Sequence, residues 1–157
     1  MTKSKVISTE DILSTLCHSV TGVLSSASSN SISYSAMVQK ITRTCMRPDI
    51  GCFVLFDGGF TGLVVTNFTA QAAMEIYHDY MRNMGMPEDE IAQSHLSDDV
   101  ANVLGELMNQ IVGDFTSKVR DQLHTSITQN QPKMMAINKQ VQISVDTTMD
   151  RPQARRV

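Results

Sequence analysis

Between residues 50 and 68 the chain reads IGCFVLFDGGFTGLVVTNF, two short apolar runs parted by Asp-Gly-Gly. Asp-Gly and Gly-Gly reach the positive φ that a tight reversal demands, and the apolar runs on either side have the composition of strands. Residues 50–57 and 60–67 are therefore expected to form a β-hairpin. Both strands read as largely buried, so a helix is expected to cover at least one face.

The flanking sequence supplies the helices. Ser8 opens one, with Asp11 at the capping-box position and Ile12, Leu13, Leu16, Val20, Val23 and Leu24 at helical period. SSASSNS, residues 25–31, is expected to end it in a surface loop, and residues 32–46 read as extended. Thr69 caps a second helix, with Ala73, Ile76, Tyr77, Tyr80, Met81 and Met84 as its apolar stripe and Gly85 at its C-terminal stop. Pro87 begins a short helix whose first residues are acidic. Ser97 caps a long helical pattern that runs to His124, Pro132 breaks the chain, and residues 134–146 contain the alternating strand QVQISVD. The order helix, strands, helix, helix, strand implies an α+β fold, a largely antiparallel sheet covered by helices, in a single domain over residues 1–147. Residues 148–157 carry no core residue and are expected to be a disordered or truncated tail.

Composition excludes several classes. Hydrophobic residues make up 41% and charged residues 18%, the balance of a folded chain. A net charge of −3 without a basic surface argues against nucleic acid as a partner. Cys17, Cys45 and Cys52 are odd in number and lack CxxC spacing, which points to thiols in a reducing compartment and a cytoplasmic location. No apolar run approaches a membrane span, and no apolar signal segment follows MTKSKVIS. The methionines lie mostly at apolar-periodic positions and read as core filling. His18, His78, His95 and His124 have no metal-binding spacing, so no metal site is expected. DGGFTG lies between strands instead of opening a helix, which makes it a turn and not a phosphate cradle.

The long helix carries the pattern that composition does not explain. At 100° per residue, Val100, Val103, Leu104, Leu107, Met108, Ile111, Val112, Phe115 and Val119 gather on one side. Asn102, Glu106, Asn109, Gly113 and Arg120 gather near the opposite pole, with Gly105 on the flank. Glu106 and Asn109 are one turn apart and project outward as neighbours. The plain reading is a solvated polar face with incidental glycines. Each glycine, however, costs a helix interior roughly 1 kcal/mol against Ala, and either close packing or close approach by another molecule would account for it.

GELMNQIVG, residues 105–113, resembles the signature of the CheC/CheX/FliY chemotaxis phosphatases, in which a helix presents E-x-x-N followed by a glycine. The hairpin and the helix after it, through YHDYM, are similar to that family's strand–glycine–strand segment and Ala-rich helix, so the likeness spans residues 50–145. The resemblance implies hydrolysis of the aspartyl phosphate of a CheY-type response regulator. Glu106 and Asn109 would be the catalytic pair, with Asn102, Gly105 and Gly113 on the partner-binding face. A phosphorylated receiver already holds Mg²⁺ and a Lys, so the protein needs no cofactor of its own. What remains is to place a water in line with phosphorus, a task of positioning. An amide suits it, because it accepts from the water and donates to a phosphate oxygen at once.

Certain relatives carry two E-x-x-N sites; here Glu10 is followed three residues later by Leu13, so one site is expected. Relatives often have Ser or Asp where Asn102 stands, and the family domain closes with more sheet than this chain shows after Val145. A missing strand would leave an edge that favours a homodimer. The rival readings are a non-catalytic module that binds a receiver or a flagellar-switch partner through the same face, and a structural dimer subunit.

Overall fold

The computed structural model describes residues 6–144 and 153–157. In chain order its elements are α1 (Thr9–Ser28), β1 (Gln39–Ile41), β2 (Arg43–Met46), β3 (Ile50–Gly58), β4 (Gly62–Phe68) and α2 (Ala70–Asn83). A 3-10 turn at Glu88–Glu90 follows, then α3 (Asp98–Leu123), β5 (Ile127–Gln129), β6 (Lys133–Ala136), β7 (Val141–Ser144) and β8 (Ala154–Arg156). The α+β class expected from the sequence holds, with every strand pair antiparallel.

The helix ends form where the caps are. Ser8 Oγ accepts from Asp11 N at 3.0 Å while Asp11 Oδ2 accepts from Ser8 N at 3.4 Å, a full capping box. Thr69 Oγ1 accepts from Ala72 N, and Ser97 Oγ from Asp99 N. One end differs from expectation. Instead of stopping at residue 25, α1 continues to Ser28, because Ser28 Oγ donates to Leu24 O at 2.7 Å and the left-handed turn comes only at Ser29, φ 54°. Serines read as loop formers here bond back into the helix they were expected to end.

Strand β3 is the spine of the sheet. It pairs with β4 along one side and with β5 and β6 along the other. The reversal into β4 is the expected one: Gly58 has φ 134°, and Asp57 Oδ1 accepts from Gly58 N at 2.9 Å and Thr61 Oγ1 at 2.8 Å. A Cβ at Gly58 would also press on the Ser126 carbonyl, so the position needs glycine twice over. The burial of β4 departs from expectation. Cys52, Val54 and Phe56 of β3 are buried, but Leu55 and Leu63, cross-strand neighbours on the other face, are 55% and 47% exposed. The helices cover one face of the hairpin, and period-2 alternation sends the remaining side chains to the opposite face.

The strand expected at QVQISVD forms as β7, and a further short strand, β6, precedes it. β6 pairs with β3, while β7 leaves the sheet and pairs with β2, the chain turning where Ile137 N donates to Asp49 O at 2.7 Å. β5 was not foreseen. It and β6 share one side of β3, and Asn130 bridges the gap, with its Oδ1 accepting from Leu55 N at 2.8 Å and its N donating to Leu55 O at 3.2 Å. The tail expected to be disordered or truncated is corrected at residues 154–156, which form β8 against β1. Arg155 fixes it by donating to Glu10 Oε1 at 2.8 Å and 3.0 Å, an ion pair that its composition alone concealed. Residues 145–152 lie outside the described residues.

Two apolar clusters join these layers. Leu107, Met108, Ile111, Val112, Phe115 and Val119 of α3 pack with Cys52, Val54 and Phe56 of β3, flanked by Ile12, Leu16, Val20 and Val23 of α1. Ala73 and Tyr77 of α2 pack with Ile50, Val100 and Leu104 in the second. Tyr77 is fully buried, and its hydroxyl accepts from Ala92 N at 3.0 Å. The three cysteines are free, and burial pushes the Cys17 and Cys52 thiols up. No helix among the described residues is long and apolar enough to cross a membrane.

Candidate functional site

Helix α3 turns its apolar side to β3 and its other side outward. All of the expected core positions are buried except Val103, which is half-buried. Asn102, Glu106, Asn109 and Gly113 are exposed, and Gly105 is half-buried on the flank. The structure therefore brings Glu106 and Asn109 together on one surface, a turn apart, anchored from below by Leu107, Ile111 and Phe115.

The glycines can now be judged. A Cβ at Gly113 would meet nothing within 4 Å, and one at Gly105 only Met134 Cγ at 4.0 Å, an ordinary contact. Packing against the described residues gives no reason for either glycine.

The side chains differ in their engagement. Glu106 Oε1 accepts from Gln110 Nε2 at 3.3 Å, and among the described residues the carboxylate has no other partner. Among the described residues no protein group hydrogen-bonds the Asn109 amide. That amide stands in the open with one acceptor and two donor hydrogens unused, able to hold a water and an anionic oxygen together. Gln110 did not figure in the sequence reading; its signal was the i, i+4 spacing from Glu106.

On α1, Glu10 sits where a second pair would begin, but Leu13 supplies no amide and Arg155 occupies the carboxylate. The Arg155 hydrogen bond holds the Glu10 carboxyl below the usual range. Among the described residues no three His, Cys, Asp or Glu side chains converge as metal ligands. Two histidines bond within the protein: a ring nitrogen of His18 lies 3.3 Å from the Tyr34 hydroxyl, and one of His78 lies 3.2 Å from Ala92 O.

Comparison with known proteins agrees with this geometry at the level of fold. A sequence model of the family described as "protein of unknown function (DUF3334)" matches residues 3–157. No curated protein sequence matches the chain. Among solved structures, the chemotaxis protein CheX from Desulfovibrio desulfuricans superposes with a TM-score of 0.67 at 20% identity, covering 88% of this chain and 85% of that one. A CheC-like superfamily protein from Shewanella sp. PV-4 gives 0.63 at 15% identity, over 88% and 82%. The CheX–CheY–BeF3–Mg²⁺ complex from Borrelia burgdorferi gives 0.53 at 14% identity, over 80% and 76%. The fold is that of the CheC/CheX chemotaxis proteins.

Proposed function

The chain belongs to the DUF3334 family, and we propose that it docks a phosphorylated CheY-type receiver on the outer face of α3 and hydrolyses its aspartyl phosphate. One observation carries this reading: Glu106 and Asn109 project side by side from a helix of CheC/CheX fold, with the Asn109 amide bonded to no described protein group. Asn109 positions the attacking water and donates to a phosphate oxygen, while Glu106 anchors the Lys of the receiver. Asn102, Gly105 and Gly113 form the surface that the receiver's loops approach. The receiver brings the Mg²⁺, so the protein itself contributes geometry and no metal. The reading supports a cytoplasmic location, where such receivers work. A solved CheX–CheY complex of the same fold supports the choice of partner.

Incubation with phosphorylated receivers tests it. Phosphate loss with many turnovers per protein molecule supports the enzyme; stoichiometric binding without loss makes the same face a binding module for a receiver or a flagellar-switch partner.

Two expected results follow from the same surface. Glu106→Ala removes a charge from a contact that desolvates on docking, a change that typically costs ~2–5 kcal/mol. Titration should show a steep rise in the Kd for the receiver, with turnover persisting at saturation; an unchanged Kd would remove the anchor role. Self-association is also expected, as a homodimer. Leu55, Leu63 and Met135 are all about half exposed on the face of the sheet away from the helices, and β4 is an edge strand with neither Pro nor Lys to protect it. Light scattering should report twice the chain mass at micromolar concentrations, and a monomer throughout would count against it.

A further inference from the structure

Beside the Glu106 row, α1 and α3 leave a cleft of about 430 Å³. Gly22 and Ser26 of α1 line one side, and Gln110, Asp114 and Lys118 of α3 the other. It adjoins the candidate site directly, because Gln110 both lines it and donates to Glu106 Oε1 at 3.3 Å.

Two features suit it to a polypeptide. Gly22 is exposed in the interior of α1, and a Cβ there would meet nothing within 4 Å, so internal packing does not explain a residue that weakens a helix. Ser19, one turn earlier on the same side, is fully buried. Asp114 stands beside it. Partial burial pushes the Asp114 carboxyl up, but the Lys118 hydrogen bond, the nearby Ser19 hydroxyl and the Lys118 charge outweigh burial and hold it below the usual range. The cleft thus offers an ionised acceptor and a gap in one wall where main chain can come close.

We propose that this cleft receives a loop of the docked receiver, which makes Gly22 and Asp114 determinants of the receivers that bind. The inference rests on the receiver-docking reading above. The loop's main chain passes Gly22, and its N–H groups donate to Asp114, adding contacts that the E-x-x-N row does not make.

Gly22→Leu tests it. Leu fills the gap and is a better helix former, so thermal melting should show a fold at least as stable as wild type. Binding is measured with a panel of CheY-type receivers loaded with beryllofluoride and Mg²⁺, and turnover with the phosphorylated forms. The expected result is a rise in Kd and KM of about tenfold or more with kcat unchanged, while Gly22→Ala, whose methyl leaves the cleft open, binds as wild type does. Wild-type affinity in Gly22→Leu overturns the cleft and spares the docking reading, which Asn109→Ala probes separately. A wild-type protein that binds none of the receivers ends both.

Discussion

Asn109→Ala should abolish accelerated dephosphorylation of the receiver and leave the fold as it is. The two halves of the expectation have separate causes. The amide is exposed and bonded to no described protein group, so its removal breaks no internal contact. Alanine is also the better helix former, by up to about 0.7 kcal/mol, so the melting temperature should hold or rise slightly. The activity has no such reserve. A receiver that already carries Mg²⁺ and Lys needs a water held in line, and a hundredfold acceleration corresponds to about 2.7 kcal/mol. That is within the reach of one well-placed amide, and no described neighbour can replace it: Gln110 is turned to Glu106. The variant should still bind the beryllofluoride-loaded receiver, since the anchor at Glu106 remains. Full phosphatase activity in Asn109→Ala would make α3 a docking surface and nothing more.

The outward row on α3 was legible in the sequence because a helix's period is strict. Once Ser97 fixes the start, 100° per residue sends Glu106 and Asn109 outward and Leu107, Ile111 and Phe115 inward without any knowledge of the partner element. The hairpin was legible for a similar reason, as a turn that only glycine makes easily lies between two apolar runs. What escaped was set by long-range partners. β8 exists because Arg155 finds Glu10, 145 positions away, and three residues carry too little pattern to announce a strand. β5 depends on Asn130 completing the ladder of β3 with its side chain, which no propensity encodes. The exposure of Leu55 and Leu63 could not be read from apolarity, because the same residues suit a covered face and an open one. The cleft at Gly22 was equally silent, since it arises only when α1 packs beside α3.

The largest stability effect is expected at Phe115. Its side chain is 1% exposed and meets Phe56 edge to face, ring centroids 5.2 Å apart, with Phe60 at 6.5 Å. It therefore ties the helix that carries the site to the central strand of the sheet. Phe115→Ala removes the ring from both neighbours and leaves a cavity, at a cost of about 3–5 kcal/mol. Against a total stability of roughly 5–15 kcal/mol this is a large share, so the variant should fold but melt roughly 10 °C or more below wild type. Urea midpoints should fall with little change in slope, since the surface exposed on unfolding is nearly the same. Phe115→Leu keeps most of the volume and should lose much less. The result discriminates because Phe115 and Asn109 lie on opposite sides of one helix. Asn109→Ala should lose turnover at an unchanged melting temperature, whereas Phe115→Ala should keep turnover per folded molecule at a lowered one. Were Phe115→Ala to melt with wild type, the packing of α3 on β3 would be wrong, and with it the assignment of which face of the helix looks outward.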